Sequence, residues 1–289
     1  MKETVGGRPV LATASAGEVS VSAIPPEGPR TATRSRTWLW PVVGTIAIFV
    51  LAEAMVRLEL MFTGFLPAPT EIAQALFLEV QTAVYWQAVL ETLQGWALGL
   101  GLAVVLAVPI GIIVGLNGWL QRASRFVVDF IRPIPSIAIL PVLMLVSGID
   151  PQLKVYMAAI AAFSPMFFQT VYGVQDVDPV AQDTARAYRL NRFMRFVFVS
   201  LPGATPYIAT GLRLAASISL LLVIGTEMVV GLPGLGYNVI RSQYAMQLPR
   251  MYALVVSSGL LGIFIAWCFT RLERVTLKWH PSQRRERGL

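Results

Sequence analysis

Charged side chains are scarce in the long apolar segments of this sequence, so the few that occur there, together with hydroxyl groups near them or in mid-segment, are the first candidates for chemistry. An ionisable group is costly inside a membrane-length segment and by default marks a pathway or gate, although a carboxylate near the end of a segment can also be simply solvated. A mid-segment hydroxyl either lines a pathway or bonds back to its own helix. We predict that two carboxylates approach one vestibule, with these pathway or gate residues: Glu227, Met228, Glu91, Thr92 and Ser217.

A second group of charged residues occurs in one polar stretch between two apolar segments, residues 183–202, "DTARAYRLNRFMRFVFVSLP". Its arginines recur at every third residue: Arg186, Arg189, Arg192 and Arg195. Asp178 and Pro179 just upstream are typical of a helix start, and the apolar spacing after them predicts a short amphipathic helix. Asn191 is placed to cap a second short helix, which Pro202 helps to end. Such a polar surface suits either a protein partner or an anionic lipid surface.

Composition places these residues in a membrane protein. The 289 residues are 55% hydrophobic and 13% charged, about half the charge density of an ordinary globular chain, and the mean hydropathy is +0.64. The single cysteine, Cys268, and the single histidine, His280, exclude a disulfide framework and argue against a His/Cys metal site or a membrane-embedded enzyme. The net charge of +7 comes from short runs of Lys and Arg between apolar segments, which the positive-inside rule explains without nucleic-acid binding.

Six apolar segments are long enough to cross a bilayer, which takes about 20 residues. They are residues 38–58, 86–116, 124–148, 153–174, 206–230 and 251–272. Basic residues concentrate before the first segment and after the second, fourth and sixth segments, which places both termini in the cytoplasm. The sequence therefore predicts an all-α membrane protein with six transmembrane helices. We divide the chain into a disordered cytoplasmic tail (1–36), a transmembrane domain (37–280) and a basic cytoplasmic tail (281–289).

Several local patterns predict how the helices are built and packed. Pro67 and Pro69 introduce an amphipathic stretch within residues 59–85, which we expect to form an interfacial helix outside the membrane. Small residues four positions apart favour close helix packing, and they are Gly95, Gly99, Gly111 and Gly115. Prolines interrupt the third segment at Pro133, Pro135 and Pro141. Ion pairs within single helices are expected for Glu53 with Arg57 and for Asp129 with Arg132.

The spacing within residues 183–202 resembles a known signature. When Asp183-Thr184-Ala185 is aligned with "EAA", Val199-x-Leu201-Pro202 falls at the distance of the "I-x-L-P" that closes the cytoplasmic loop of ABC-importer permeases. Further segments resemble the nitrate, sulfonate and taurine branch of that family: "IRPIPSIAILPVLMLVSGI" (131–149), "LPGATPYIATGLRLA" (201–215), "GTEMVVGLPGLGY" (225–237) and "LERVTLKW" (272–279). The resemblance covers roughly residues 60–280, and it is carried by the order and spacing of these segments.

The resemblance implies a type I ABC importer permease fold that works as a homodimer in the bacterial cytoplasmic (inner) membrane. Residues 178–200 are then expected to form EAA-like coupling helices seated in a cytoplasmic ATPase, two copies of which hold ATP and Mg²⁺. The chain itself is expected to contain no cofactor, metal or catalytic site, and an external binding protein to deliver a small anion such as a sulfonate, taurine or nitrate. The residues that the resemblance assigns to ATPase coupling are Asp183, Thr184, Ala185, Arg186, Tyr188, Arg189, Leu201 and Pro202.

Two positions depart from the family pattern. The family's Glu is Asp183, which is one methylene shorter, and the family's Gly after "EAA" is Arg189. A glycine would let the chain leave the first helix in a left-handed conformation that arginine adopts poorly. We therefore expect either that the turn moves to Asn191 or that the first helix extends.

Two further functions fit the same sequence. One is an importer permease for a neutral heterocycle or vitamin precursor, and the other is a channel that works without ATP or a cytoplasmic partner. The glycine-rich stretch "GLPGLG" (231–236) lacks the Lys-Ser/Thr of a phosphate-binding loop. We instead expect it to form a tight turn near an outer gate.

Overall fold

The computed structural model describes residues 39–58, 65–131 and 133–276, and every regular element in these ranges is helical. The predicted tails, 1–36 and 281–289, lie outside the described residues. By backbone contacts the chain divides into two units, Met1–Ala47 and Ile48–Leu289. The described part of the first unit is the beginning of the first helix, and the second unit contains the later helices.

The described elements follow one another along the chain with short connections. They are α1 (Leu39–Arg57), α2 (Pro69–Glu79), α3 (Ala83–Leu116), α4 (Gly118–Ile131), a 3₁₀ turn (Ser136–Ile139), α5 (Leu140–Ser147), α6 (Gln152–Gln175), α7 (Pro179–Ala187), α8 (Arg192–Arg195), a π-helical turn (Phe196–Ser200), α9 (Leu201–Val230), α10 (Leu235–Tyr244) and α11 (Leu248–Thr276).

Four helices in the described part of the chain are long and apolar enough to cross a membrane. They are Ala83–Leu116, Gln152–Gln175, Arg192–Val230 and Leu248–Thr276. They contain the second, fourth, fifth and sixth predicted segments. The first segment forms the 19-residue α1, which is not one of the four. The six-span topology and the cytoplasmic termini therefore stay predictions.

The third predicted segment, 124–148, is not one helix. Helix α4 begins before it, at Gly118, and ends at Ile131, while the chain becomes helical again only at Ser136. Pro133 and Pro135 lie in this break, where each removes a backbone donor and disfavours a helical conformation in the residue before it. The predicted interruption of this segment by prolines is therefore confirmed at Pro133 and Pro135, whereas Pro141 lies within α5.

Helices α3 and α6 pack closely along glycine positions, as the sequence predicted. A Cβ atom added to Gly99 would lie 2.4 Å from the Ala158 Cβ, and one added to Gly111 would lie 2.8 Å from the Thr170 Cβ. The facing residues advance together along both helices, so α3 and α6 run parallel. Gly95 faces the side chain of Lys154 in the same way, at 2.9 Å, and thereby leaves room for a long side chain between the two helices.

Helix α9 packs against α6 in the opposite direction. A Cβ atom on Gly211 would meet Gln169, and one on Gly173 would meet Tyr207, so residues later in α9 lie against residues earlier in α6. The expected break at Pro202 is absent, because α8, the π-helical turn and α9 are continuous from Arg192 to Val230. Pro202 lies in the first turn of α9, directly after the π-helical turn, and such turns commonly relieve a disrupted hydrogen-bond ladder.

The helix predicted within residues 59–85 is α2, which begins at Pro69; its interfacial location stays a prediction. The Glu71 carboxylate accepts a hydrogen bond from the Ala68 backbone N–H at 3.2 Å, which is one half of a capping box, because the alanine side chain has no acceptor for the other half. The last residue of α2, Glu79, accepts two hydrogen bonds from the Arg250 guanidinium of α11, at 2.8 and 2.9 Å. In α1 the predicted pair between Arg57 and Glu53 is present at 2.7 Å.

Candidate functional site

Glu227 lies where the ends of four helices meet. Because α3 and α6 run parallel and α9 runs opposite to them, the beginnings of α3 and α6 lie beside the end of α9. Thr92, Lys154 and Glu227 come from these three ends, and the loop 231–234 then leads into α10. We call Thr92, Lys154, Glu227 and the loop residues 231–236 the Glu227 cluster.

The Glu227 carboxylate is fully buried and receives hydrogen bonds from three groups. The Lys154 Nζ lies 3.1 Å from Oε1, and the Gly236 backbone N–H donates to Oε2 at 3.1 Å. The Thr92 hydroxyl lies within 3.1 Å of Oε1 and 2.9 Å of Oε2. A buried carboxylate is tolerated only when it is paired and hydrogen-bonded, and both conditions hold here.

The partners of Glu227 also hold the loop in place. Lys154 donates a second hydrogen bond to the Pro233 carbonyl at 2.7 Å. The Thr92 hydroxyl accepts one from the Leu235 backbone N–H at 2.9 Å. One carboxylate and its two partners therefore connect α3, α6 and α9 to the start of α10.

The glycines of residues 231–236 allow this close approach. Gly231 ends α9 in the left-handed conformation, with φ of 80°. A Cβ atom on Gly234 would lie 2.1 Å from the Glu227 Oε1, and one on Gly236 would lie 2.3 Å from the Ile224 carbonyl oxygen. The predicted tight turn is thus present, and its glycines are needed because the backbone passes over a carboxylate.

The other predicted gate residues lie around the cluster or away from it. Glu91 accepts a hydrogen bond from the Gln87 side chain at 3.1 Å and lines a cavity of about 270 Å³ together with Lys154 and Pro233. Met228 packs against Gly236, because its Cγ lies 3.0 Å from the position that a Cβ atom on Gly236 would occupy. Ser217 is exposed and donates to the Arg213 carbonyl of its own helix at 3.2 Å.

Lys154 is the member of the cluster that the sequence reasoning missed. It lies within the predicted segment 153–174, so the rule that singled out Glu227 applied equally to it. It lies two residues into that segment, and its side chain is only 7% exposed. Arg213, within the predicted segment 206–230, was passed over as well, and it pairs with Glu273 of α11 at 3.2 Å.

The second candidate site, the coupling segment of residues 178–202, begins with the amphipathic helix predicted from the sequence. Helix α7 starts at Pro179, and the Asp178 carboxylate caps it by accepting from the Val180 N–H at 2.8 Å. Ala185 is buried against the rest of the chain. Asp183 and Arg186 form the predicted pair at 2.8 Å on the opposite, exposed face.

Arg189 ends α7 in a way that neither expectation described. Its φ is 50°, so the arginine itself adopts the left-handed conformation. The Arg189 N–H donates to the Arg186 carbonyl at 2.9 Å, and the Leu190 N–H donates to the Ala185 carbonyl at 3.1 Å. These two bonds form the Schellman motif that usually places glycine at this position. The turn therefore neither moves to Asn191 nor lengthens the helix, because its two hydrogen bonds offset the strain.

The remaining coupling residues follow directly. Asn191 caps α8 by accepting from the Met194 N–H at 2.7 Å, as predicted. Tyr188 is 78% exposed, and Thr184 is also exposed, whereas Leu201 is half-buried at the start of α9. The exposed coupling candidates thus lie on α7, and Leu201 and Pro202 connect them to a membrane-length helix.

Neither region offers a metal site. Within residues 39–58, 65–131 and 133–276, no group of three or more His, Cys, Asp or Glu side chains is placed to hold a metal ion.

Comparisons with known proteins identify a family and several relatives. Residues 107–278 match the family described as binding-protein-dependent transport system inner membrane component. The chain is 28% identical over 251 residues to the putative aliphatic sulfonates transport permease protein of Escherichia coli (strain K12), covering 86% of this chain and 93% of that protein. It is 26% identical over 260 residues to the taurine transport system permease protein of the same organism, covering 86% and 94%.

A solved structure shares the fold. A chain of the MetNI methionine ABC transporter in an inward-facing conformation matches with a TM-score of 0.60 at 19% identity, covering 66% of this chain and 95% of that chain. At this identity the match supports the helical arrangement alone.

Proposed function

The chain belongs to the binding-protein-dependent transport system inner membrane component family, and we propose that it is the membrane permease subunit of an ATP-driven importer for small anions. The family and the four membrane-length helices confirm the inner-membrane location expected from the sequence. The proposal includes six transmembrane helices with both termini in the cytoplasm. Hydrolysis of ATP belongs to a partner ATPase, which would hold the ATP and Mg²⁺.

One observation carries the mechanism. Helix α7 is short, capped at both ends and joined through α8 and the π-helical turn to the continuous helix α9. A partner that moves α7 therefore acts directly on a membrane-length helix whose far end holds Glu227. In this mechanism Asp183, Arg186 and Tyr188 contact the ATPase, and Leu201 with Pro202 passes the motion on.

The Glu227 cluster fits the role of a rigid block at the external gate. Its hydrogen bonds connect the ends of α3, α6 and α9, so these ends can move together rather than separately. The cluster is already saturated with internal partners, which makes it a poor binding site for a transported anion. Glu91, in the adjoining cavity, is the more accessible of the two predicted carboxylates.

The proposed assembly is a homodimer with two ATPases inside and one binding protein outside. Apolar side chains in α5 support a membrane or subunit contact there, since Leu145 is 88% and Val146 is 80% exposed. We place the pathway between the two copies.

The substrate class follows from the relatives. The two E. coli proteins are named for aliphatic sulfonates and for taurine, and both names describe organic molecules with a sulfonate group. We therefore propose a small sulfonate or a similar oxyanion, such as nitrate, as cargo. A neutral heterocycle remains the second candidate, and ligand screening of the co-purified binding protein separates the two.

The first experiment is affinity co-purification of the tagged full-length chain in mild detergent. An ABC ATPase recovered at one copy per permease supports the proposal. Recovery of the chain without any nucleotide-binding partner contradicts it and favours a channel.

The second experiment exchanges the charges on α7. The double variant Asp183→Arg/Arg186→Asp keeps an ion pair within the helix but reverses the pattern that a partner meets. We expect ATPase recovery and ATP-dependent uptake to fall at least about tenfold, because reversed charges at an interface cost several kcal/mol. Arg241→Glu, at an exposed position of α10 at the other end of the bundle, is the control and should leave ATPase recovery unchanged. Normal coupled uptake in the α7 double variant contradicts the docking assignment.

A further inference from the structure

A polar cleft lies behind the coupling segment, between α7 and the membrane helices. It has a volume of about 390 Å³ and is lined by the last residues of α3 and α6, by one side of α7, and by α8 with the π-helical turn. The polar side chains that line it are Gln175, Gln182, Arg186, Arg195 and Ser200. No acidic side chain belongs to this lining among the described residues.

Arg195 is the residue that the fold leaves unexplained. It is half-buried, and its guanidinium forms no hydrogen bond or ion pair with the described part of the chain. A guanidinium presents five donors in a planar fork that fits a phosphate or sulfonate group in a bidentate way. A half-buried arginine without a partner is therefore a group that a bound anion would satisfy.

The neighbouring side chains add donors rather than acceptors. One N–H of the Arg186 guanidinium donates to Asp183 at 2.8 Å, and its other donors remain available to a ligand in the cleft. Gln175 uses its amide oxygen to accept from Gln121 at 3.2 Å, so its NH₂ group remains for the cleft. The lining thus combines the Arg195 guanidinium, which has no carboxylate partner among the described residues, with the spare N–H donors of Arg186 and Gln175.

The helix ends nearby do not use the guanidinium donors. The last turns of α3 and α6 each carry about half a negative charge, which opposes the charge of Arg195, while Asp183 opposes that of Arg186; the case for a bound anion therefore rests on unused N–H donors. In the described residues, neither Arg186 nor Arg195 donates a side-chain hydrogen bond to the carbonyls that end these helices.

We propose that this cleft binds an oxyanion of the phosphate or sulfonate type, held by Arg195 and Arg186. Two sources share this chemistry: the headgroup of an anionic phospholipid in the cytoplasmic leaflet, and a free oxyanion in the cytoplasm. The orientation of the cleft toward the cytoplasm rests on the proposed function, whereas the donor set does not. A bound anion would join α7 and α8 to the ends of α3 and α6, and so stiffen the connection through which the ATPase acts.

The test has two arms, both on the purified full-length chain. In the first arm, sodium sulfate or phosphate is titrated up to about 10 mM in neutral detergent, with sodium chloride at matched ionic strength as reference. We expect a saturable rise in melting temperature of about 3 °C at ten times the dissociation constant. In the second arm, native mass spectrometry counts lipids retained from bilayers of phosphatidylcholine with or without phosphatidylglycerol.

Matched variants separate the cleft from general salt effects. Arg195→Gln should weaken anion binding at least about tenfold, because a charge-assisted hydrogen-bonded pair is lost. Arg195→Lys should lie between Arg195→Gln and the parent, since it keeps the charge but not the fork. Arg192→Gln lies on the same helix but does not line the cleft, and it should bind as the parent does. Gln182→Glu adds a negative charge to the lining and should also weaken anion binding. It serves as the second test variant if Arg195→Gln folds poorly.

Each outcome decides the proposal. A response confined to the first arm identifies a free oxyanion, and one confined to the second identifies a lipid headgroup; sulfate that displaces retained phosphatidylglycerol identifies both sources at one site. Absence of any response, or an equal response in the parent and in Arg195→Gln, overturns the cleft as an anion site. Recovery of the ATPase is measured separately on the same preparations, so a failure of the proposed function is distinguishable from a failure of this site.

Discussion

The Glu227 cluster and the coupling segment each contain one carboxylate paired with one cation, and they differ in what surrounds the pair. The Lys154 and Glu227 side chains are 7% and 0% exposed, whereas the Arg186 and Asp183 side chains are 60% and 71% exposed. Removing one charge from a buried pair leaves the other without compensation, while an exposed pair contributes little to stability. The first pair can therefore fix the arrangement of helices, and the second can offer charge to a partner at small structural cost.

The strongest test of this contrast removes the cation from each pair. Lys154→Met leaves Glu227 buried without its cation, and we expect a loss of about 3–5 kcal/mol in the free energy of unfolding. Arg186→Met should change it by less than about 1 kcal/mol. Thermal unfolding of both variants in the same detergent, followed by gel filtration, measures the difference.

A companion variant shows whether the charge itself causes the loss. Lys154→Met/Glu227→Gln replaces the carboxylate with an amide whose oxygen can still accept from Thr92 and Gly236. We expect the double variant to recover most of the stability that Lys154→Met loses. Equal losses in Lys154→Met and Arg186→Met would show that burial does not separate the two regions.

The next test concerns the backbone that passes over Glu227. A Cβ atom on Gly236 would lie 2.3 Å from the Ile224 carbonyl oxygen, so Gly236→Ala should cost about 1–3 kcal/mol through overpacking. Gly101→Ala is the matched control, because nothing lies within 4 Å of its Cβ position and alanine is favoured in a helix interior by up to about 1 kcal/mol. The two substitutions should thus shift the melting temperature in opposite directions. A Gly236→Ala variant as stable as the parent would mean that the loop is not closely packed against α9.

Sequence patterns predicted the helices because apolar length and capping residues act locally. The four membrane-length helices, the short helix α2, the cap at Asp178 and the glycine packing of α3 could all be predicted in this way. In the third segment the prolines likewise predicted an interruption, because Pro133 and Pro135 act on the backbone locally, and the helix is broken between Ile131 and Ser136.

The sites were harder to predict because their partners are distant in sequence. Glu227 meets Lys154 and Thr92 only after three helices have packed, and no local spacing indicates which lysine will be buried. The rule about ionisable residues in a span selected Glu227 and Glu91 near segment ends, and it would have selected Lys154 as well had it been applied to cations. Arg195 carries no signal at all in the sequence, since it is one of four equally spaced arginines and only the fold places it in a cleft.

The smallest expected effect lies at Arg189. Its left-handed backbone conformation strains the coupling segment, whereas the Glu227 cluster has glycines at its positive-φ positions and avoids this strain. A left-handed conformation costs a non-glycine residue about 1–2 kcal/mol. Substitution by glycine removes this cost, but part of the stabilisation is lost because glycine has greater conformational freedom in the unfolded chain. Arg189→Gly should therefore stabilise the protein by about 0.5–1 kcal/mol, measured as a rise in melting temperature.

Met246 has the same backbone strain, with φ of 54°, so Met246→Gly should give a similar rise. Tyr188→Gly, at a right-handed position with φ of −77°, should lower the melting temperature instead. If Arg189→Gly lowers it too, the arginine side chain contributes more to this turn than the backbone strain costs, and the coupling segment is held by its charges rather than by its hydrogen-bonded end.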